Sequence, residues 1–311
     1  MDNADHARRR LTVVGLGEVV WDYYPDDRGR RPGGAPANVV FHVTQCGHRG
    51  VVASAVGDDA DGEELVDYLA ARGVDTAAVR RSATRPTARV DVHTDGGGPG
   101  YTIHDDTAWD GLAWDDEWAA TFSRADAVCF GTLAQRHATT RDFVGRALRS
   151  VPDRCLKVFD INLRPPWWAD DVVVASFDAC DVLKLSSEEV EAVGEVFGVP
   201  AGTPDRLADE LGRRSGKTIA VTLGGEGAVL KRGEEVTFEP AAPADVVDTV
   251  GAGDAFTAGL TLGLLDGLST RDVLRFANGL GGVVASCPGA MPDYADRLAG
   301  LRARLGLAPP G

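Results

Sequence analysis

The sequence predicts an α/β fold: a doubly wound, mostly parallel sheet with helices on both faces, together with a small β-sheet lid. Two observations support this prediction. Short apolar runs that stop at Gly or a polar residue alternate with helical patterns, which is typical of a parallel sheet. Two segments, about 19–33 and 84–108, interrupt the alternation with strand-like patterns and with turn signals at 26–29 and 95–98. We expect these segments to pair with each other and to cover the mouth of the main domain.

Each element of the main domain is predicted from its own pattern. A helix is expected from Pro36, because proline is favoured in a first helical turn, to Gly47, which would stop it. Helical periodicity indicates further helices over 63–71, 139–150, 204–214 and about 254–265. Apolar runs indicate strands over 11–15, 51–57, 125–131, 157–162, 182–186 and 218–224, with another at 228–231.

Length and composition describe one globular domain. The chain has 311 residues, of which 44% are hydrophobic and 25% charged, and we assign 11–295 to the domain and 1–10 to a flexible tail. The net charge of −15 argues against nucleic acid and membrane surfaces as partners. Five scattered cysteines without a C-x-x-C pattern favour a reducing, cytoplasmic location. No apolar run is long enough to span a bilayer.

The strongest motif is the run Asp248-Thr-Val-Gly-Ala-Gly-Asp254 before an apolar helix. Small residues at a helix start leave backbone N–H groups pointing at one spot, and the helix dipole adds positive charge there. Such a site binds anions, and Asp254 beside it suits a general base next to a transferring phosphoryl group. The alternative is that Asp254 is an ordinary first-turn acid that stabilises the helix.

Two other motifs suggest ligand contacts. In Gly33-Gly-Ala-Pro-Ala-Asn38, the glycines allow close approach to the backbone and the Asn38 amide suits sugar hydroxyls, although a plain strand-to-helix turn is the alternative. In Asp160-Ile-Asn-Leu-Arg164, the guanidinium of Arg164 suits phosphate or carboxylate. A buried structural pair between Asp160 and Arg164 is the alternative there.

Polar residues also stand where ligands of parallel sheets bind, at the carboxyl ends of predicted strands. Asp160, Asn162, Ser186 and Thr222 occupy such positions. Ser186 or Ser187 is also a plausible helix N-cap before Glu189. The glycine turn 224–227 after Thr222 is open to two interpretations, a ligand-binding turn or a simple hairpin.

Taken together, these motifs resemble the ribokinase-like, or phosphofructokinase-B, family of carbohydrate kinases, from about Leu11 to about Pro292. The run 248–254 is the most specific match and Gly33-Gly34 is the N-terminal one. Within the family the sequence is similar to fructokinases through 33–38, 160–164, Lys184-Leu-Ser and Gly131-Thr-Leu-Ala-Gln135. The resemblance implies a parallel α/β core with a β lid and transfer of the γ-phosphoryl group of ATP to a sugar hydroxyl.

The resemblance also implies roles for individual residues. Asp254 would be the base, the amides of Gly251, Ala252 and Gly253 the anion hole, and Arg164 would lie near the phosphates or the sugar. The residues implied to bind sugar, besides Asp254, are Asp22, Gly33, Gly34, Asn38 and Gln135. Those implied to bind ATP are Lys184, Thr222, Gly224, Gly225, Gly227, Gly253 and Asn278.

Two metal sites follow from the same resemblance. Glu189 would organise Mg²⁺ through water, although Ser186 stands where the family usually has Asn. Asp248 and the carbonyl of Val250 would hold a monovalent cation, expected to be K⁺, with backbone from 284–289.

Three interpretations of function remain open from the sequence. The leading one is a kinase that converts fructose to fructose 6-phosphate. The second is a 2-keto-3-deoxygluconate kinase, since Arg164 could bind a substrate carboxylate. The third, of another class, is a non-catalytic sugar-binding or regulatory protein. In each case the partners are small molecules, and the lid could pair with that of a second copy in a homodimer.

Overall fold

The computed structural model of the chain describes residues 9–26, 29–93, 100–200 and 202–306. Most of the tail predicted over 1–10 lies outside these residues, as do the middle of the turn at 26–29 and all of the turn at 95–98. Within them, no helix combines the length and the apolar composition that a membrane crossing requires.

A nine-stranded sheet forms the centre of the molecule. Its strand order is β13-β12-β11-β10-β9-β8-β1-β4-β5, with parallel pairing from β5 to β11 and antiparallel pairing of β12 and β13 at one edge. The predicted sheet is therefore confirmed. Its strands are β1 (Thr12–Leu16), β4 (Arg49–Gly57), β5 (Val79–Ser82), β8 (Ala127–Phe130), β9 (Leu156–Asp160), β10 (Val182–Ser186), β11 (Thr218–Thr222), β12 (Gly227–Arg232) and β13 (Glu235–Pro240).

Helices cover both faces of this sheet, as a doubly wound fold requires. The helices are α1 (Ala35–Gln45), α2 (Ala60–Ala70), α3 (Glu117–Phe122), α4 (Ala138–Ser150), α5 (Asp170–Ala179), α6 (Val190–Val196), α7 (Pro204–Ser215), α8 (Ala252–Leu265), α9 (Thr270–Ala285) and α10 (Ala295–Arg304). Apolar side chains of α1, α2, α8, α9 and α10 pack in one core cluster, and those of α3 to α7 pack in the other.

The two interrupting segments pair into a separate sheet, which confirms the predicted lid. Its strands are β2 (Val20–Tyr23), β3 (Arg30–Gly33), β6 (Arg89–His93) and β7 (Gly100–Ile103), in the order β3-β2-β6-β7. The indole nitrogen of Trp21 donates to the carbonyl of Asp61 at 2.9 Å. Arg30 lies over the Trp21 ring and pairs with Asp61 and Glu64. These contacts fasten one face of the lid to the start of α2.

Candidate active site

Asp254 is held by a residue from the opposite end of the chain. The amide nitrogen of Asn38, on α1, donates to Asp254 Oδ2 at 2.7 Å. Burial and the nearby Asp160 raise the pKa of Asp254 from 3.8 to about 7, against the lowering effect of Asn38 and of the Lys184 and Arg164 charges. An acid that only stabilised its own helix would need no such partners. The geometry therefore favours the functional interpretation of Asp254 over the structural one.

The backbone before Asp254 forms the predicted turn. Gly251 has φ 80°, and a Cβ atom there would lie 2.6 Å from Ala290 Cα, so glycine is required. The first helical bond of α8 runs from Ala255 N to Gly251 O at 2.9 Å. Ala252 N donates instead to Thr249 O at 3.2 Å, which corrects the prediction that its amide belongs to the anion hole. Within the described residues, the amides of Gly251 and Gly253 have no backbone acceptor.

A buried lysine lies against this turn. A Cβ atom on Gly253 would be 3.4 Å from Lys184 Nζ, so the ammonium group adjoins the anion-hole backbone. Lys184 Nζ donates to both carboxylate oxygens of Asp160, at 3.0 and 3.2 Å. The suggested pair between Asp160 and Arg164 is therefore wrong. Lys184 is the partner because it lies directly opposite Asp160 in the β9–β10 register.

Arg164 approaches the cleft from the loop after β9. Asn162 precedes it with φ 43°, a left-handed conformation that asparagine tolerates, and the Arg164 side chain is exposed. Its charge lowers the pKa of Asp22 and of Asp254. Arg164 thus lies close to both the predicted sugar acid and the predicted base.

The predicted sugar-binding residues of the lid and α1 come together. A Cβ atom on Gly33 would lie 2.3 Å from Asp22 Oδ2, so only glycine leaves room for this carboxylate. Asn38 N donates to the carbonyl of Gly34 at 2.9 Å. Burial raises the pKa of Asp22 to about 7, although the nearby Arg164 lowers it. Asp22, Gly33, Gly34 and Asn38 therefore form one side of the cleft.

Gln135 does not join this group. Its amide nitrogen donates to the carbonyl of Gly131 at 2.9 Å and to Ser176 Oγ at 2.8 Å, and the side chain is buried. The prediction that Gln135 contacts sugar is therefore corrected: its side chain turns inward from the end of β8 and closes a structural contact with α5.

Glu18 is a cleft residue that the sequence analysis missed. Its carboxylate is 4% exposed, accepts from the backbone N–H of Ala35, and is surrounded by the charges of Arg136 and Arg164. Burial raises its pKa. The signal available in the sequence was an acid placed directly after the buried first strand, where parallel-sheet ligands bind.

A cavity of about 560 Å³ opens beside the anion hole. All of the predicted ATP residues except Lys184 line it, namely Thr222, Gly224, Gly225, Gly227, Gly253 and Asn278. Residues that the sequence analysis did not identify complete the wall, including Ala241, Ala242, Pro243, Ala244, Val246, Phe256, Gly281, Gly282 and Ala285. Most are small and apolar, a composition that does not distinguish a ligand wall from a core.

Glu189 connects the loop after β9 with the end of β10. Its Oε1 accepts from Leu163 N at 2.6 Å, while its Oε2 accepts from Ser186 N at 2.8 Å and from Ser186 Oγ at 3.0 Å. Ser186 therefore acts as the N-cap of a short helical turn that Glu189 completes. The carboxylate remains half-buried at the cleft, and its oxygens are hard ligands suited to Mg²⁺ through water.

Asp248 stabilises the glycine turn before Asp254 by accepting two backbone hydrogen bonds. Its Oδ1 accepts from Val250 N at 3.1 Å and its Oδ2 from Gly289 N at 2.9 Å. A carboxylate with neighbouring carbonyls is an all-oxygen donor set, which fits a hard cation such as K⁺. Arg31 Nη1 lies 3.7 Å from Asp248 Oδ2, so part of the negative charge is already balanced by the lid.

Comparison with known proteins identifies the family of the chain. The family described as pfkB family carbohydrate kinase matches residues 11–297. A sugar kinase of Pyrococcus horikoshii is 30% identical over 86% of this chain and 87% of its own length, and its crystal structure superposes with a TM-score of 0.84 over 96% of this chain and all of that one. Fructokinase-1 of Oryza sativa is 28% identical over 92% and 95% of the two lengths. A 2-dehydro-3-deoxygluconokinase of Bacillus subtilis is 28% identical over 93% and 94%. The chain belongs to the pfkB family of carbohydrate kinases.

Proposed function

We propose that this carbohydrate kinase transfers the γ-phosphoryl group of ATP to O6 of fructose. The observation that supports it most directly is the Asp254 carboxylate. It accepts from Asn38 on the proposed sugar side, and the preceding Gly253 lines the 560 Å³ cavity. Its pKa of about 7 suits a general base near neutral pH.

In the proposed reaction, the sugar O6 attacks the γ-phosphorus as the bond from that phosphorus to the ADP oxygen breaks. Asp254 accepts the proton of the O6 hydroxyl. The amides of Gly251 and Gly253 and the Lys184 ammonium stabilise the charge on the transferring phosphoryl oxygens. Mg²⁺ bound to ATP supplies further charge neutralisation, and Glu189 would hold it through water.

Sugar selection is assigned to the lid side of the cleft. The Asp22 carboxylate would accept from two hydroxyls, while Asn38 and the Gly33-Gly34 backbone would bond the others. A sugar without a matching hydroxyl would leave a desolvated carboxylate unpaired, which lowers efficiency by roughly 5- to 150-fold.

The second candidate is phosphorylation of 2-keto-3-deoxygluconate. The exposed Arg164 guanidinium close to Asp22 and Asp254 supports it, because an acid sugar needs a cation for its carboxylate. A relative named as a 2-dehydro-3-deoxygluconokinase, at 28% identity, is consistent with it. The non-catalytic alternative has less support, because both Asp254 and the glycine turn are intact.

An ADP-release assay over a panel of sugars tests these candidates, with the phosphorylated position identified by NMR. We expect fructose to be the best neutral sugar. Phosphorylation of 2-keto-3-deoxygluconate at least about ten times more efficiently than fructose, a difference a single charged contact can supply, would establish the second candidate. No ADP release with any sugar would support the non-catalytic alternative.

Arg164→Ala separates the two substrates by mechanism. If Arg164 serves ATP phosphates, turnover falls on every sugar in equal proportion. If it serves a substrate carboxylate, the variant loses activity on the acid sugar and keeps its activity on fructose.

Potassium is expected to raise activity through Asp248 and the Val250 carbonyl. Equal rates in potassium and in tetramethylammonium would remove that site from the proposal.

A further inference from the structure

We propose that Asp160 is a positioning residue for phosphoryl transfer: together with Thr257, it holds the Lys184 ammonium against the anion hole, where it binds the γ-phosphoryl group. The proposal rests on the proposed kinase function and on the role of Lys184 in it. Three buried side chains from three different elements form what we call the Asp160 cluster: Asp160, Lys184 and Thr257.

The fold brings the cluster together in a fixed arrangement. Asp160 is the last residue of β9 and Lys184 is its direct partner in β10, so both side chains project from the same face of the sheet. Thr257 follows Asp254 by three positions on α8, so it lies on the same helix face as the base. The cluster therefore lies directly beneath the first turn of α8.

The contacts within the cluster are short and buried. Thr257 Oγ1 donates to Asp160 Oδ2 at 2.6 Å, while Lys184 Nζ donates to both Asp160 oxygens at 3.0 and 3.2 Å. The three residues are 5%, 7% and 0% exposed for Asp160, Lys184 and Thr257. Asp160 is thus bonded from two directions, and its carboxylate cannot rotate without losing a bond in a water-poor site.

Lys184 retains a donor for a ligand. An ammonium group has three N–H bonds, and the two Asp160 oxygens account for two of them at most. The third is available beside Gly253, where a Cβ atom would lie only 3.4 Å from Nζ. A buried lysine normally shifts toward the neutral form, and the Asp160 charge opposes this by raising the pKa of Lys184. Asp160 therefore keeps Lys184 protonated and holds its ammonium group in position beside Gly253.

The competing interpretation is a structural ion pair that only joins β9, β10 and α8. A structural pair would be replaceable by a neutral pair of similar shape, because burying two charges gives little net stability. A positioning role would not survive that replacement, because the cation itself would be lost from the anion hole. The two interpretations therefore predict different results for a variant with a neutral pair. If the ion pair is only structural, the neutral pair restores both stability and activity; if it positions the cation, activity stays low.

The test compares ligand affinities as well as rates. Calorimetry gives the Kd of ADP and of the non-hydrolysable analogue β,γ-methylene-ATP, and their ratio reports on contacts to the γ-phosphoryl group alone. For Asp160→Asn we expect the analogue to bind about tenfold more weakly, as for one charge-assisted hydrogen bond, with ADP binding little changed. The kcat on the best sugar is expected to fall by about 10- to 100-fold.

Two further variants keep the test decisive if Asp160→Asn is unstable. Thr257→Val removes the bond to Asp160, together with a bond to the Gly253 carbonyl one turn earlier, and is expected to lower kcat severalfold. Its matched control is Thr261→Val, one turn later on α8, where the equally buried hydroxyl donates to the Thr257 carbonyl at 2.7 Å and contacts Cys129 Sγ at 3.6 Å, away from Asp160. The neutral pair Asp160→Asn/Lys184→Gln is expected to recover the wild-type thermal midpoint without recovering kcat.

Recovery of half or more of the wild-type kcat by the neutral pair would overturn the proposal. So would equal kcat values for Thr257→Val and Thr261→Val. An unchanged ratio of analogue to ADP affinity in Asp160→Asn would overturn it while leaving the kinase function intact. Failure of the wild-type chain to bind ADP at all would overturn both proposals.

Discussion

The pKa of the Asp254 carboxyl is set by burial and by neighbouring side chains from other elements. Replacing it with Asn keeps the size of the side chain and an oxygen that Asn38 can donate to, but removes the proton acceptor. We expect Asp254→Asn to lower kcat by about 10²–10⁴-fold. The affinity for β,γ-methylene-ATP is expected to stay within about threefold, because the loss is confined to the base.

Asp272→Asn is the matched control for this variant. Asp272 is also an acid in the first turn of a helix, α9, but it pairs with Ser269 away from the cleft. The activity of the Asp272→Asn variant is expected to be close to that of the wild type. If Asp254→Asn keeps more than about a tenth of the wild-type kcat, below the usual range for a general base, Asp254 is not the base.

Two carboxyl groups, those of Asp254 and Asp22, are expected to determine how activity depends on pH. Asp254 must be deprotonated to accept a proton, and Asp22 must be deprotonated to accept from two hydroxyls, and the pKa of each is about 7. The value of kcat/KM should therefore rise through about pH 7, more steeply than one ionisation allows. In Asp22→Asn the rise should fit a single ionisation. A flat profile between about pH 6 and 8 would contradict the assignment of Asp254.

At the residue scale, the structure brings Asp22, Asn38 and Asp254 to one cleft, and their roles in binding and catalysis stay predictions. Asp22 is assigned through the family resemblance alone, whereas Asn38 and Asp254 also follow from the glycine motifs that precede them. Gln135 was misplaced because a residue in the turn after β8 can point into the cleft or into the core, and the sequence does not decide between them. The Lys184–Asp160 pair depends on the β9–β10 register, which a single sequence does not reveal.

At the scale of elements, the lid holds Asp22 through a close approach of two strands. We expect Gly33→Ala to raise the KM for sugar by about tenfold or more, because its Cβ would displace an Asp22 oxygen that lies 2.3 Å away. The affinity for ATP should be unchanged. Gly100→Ala, on β7 of the same lid, is the control, since among the described residues its Cβ would meet only His93 Cβ, at 3.6 Å. Equal KM values for the two variants would show that Asp22 does not bind sugar.

Two strands of the main sheet that the sequence did not predict share a physical cause. β5 has the sequence Val-Arg-Arg-Ser and β13 has Glu-Val-Thr-Phe-Glu-Pro. Both lie at edges of the main sheet, with no fully buried residue in β5 and one in β13. Edge strands need no apolar run, so the pattern that found the central strands is absent from them. The lid strands were found because their alternation and the flanking turns were separate signals.

For the molecule as a whole, the active site is expected to reduce stability near neutral pH. The pKa of Asp254 and of Asp22 is about 7 in the folded chain, against an ordinary value of 3.8. Between about pH 4 and pH 7 the folded chain therefore binds more protons at these groups than the unfolded chain. The free energy of unfolding must fall as pH rises through that window. Other acids shift the opposite way, including Asp59 and Asp75, whose pKa values are lowered, so a single curve would not isolate the effect.

A difference between variants does isolate it. Asp254→Asn removes one carboxyl with a raised pKa, so we expect it to raise the thermal midpoint by a few degrees at about pH 8. At about pH 4, close to the ordinary pKa of 3.8, the wild-type carboxyl is protonated in the folded chain and partly protonated in the unfolded chain, so the advantage of the variant should largely disappear. Thermal unfolding followed by circular dichroism at both pH values measures this, with Asp272→Asn as the control that should show no such pH-dependent gain. A midpoint gain of equal size at both pH values would mean that the stability change does not come from the charge of Asp254. A gain confined to high pH would instead mean that the same desolvation which prepares Asp254 as a base also destabilises the fold, as expected for a site selected for activity.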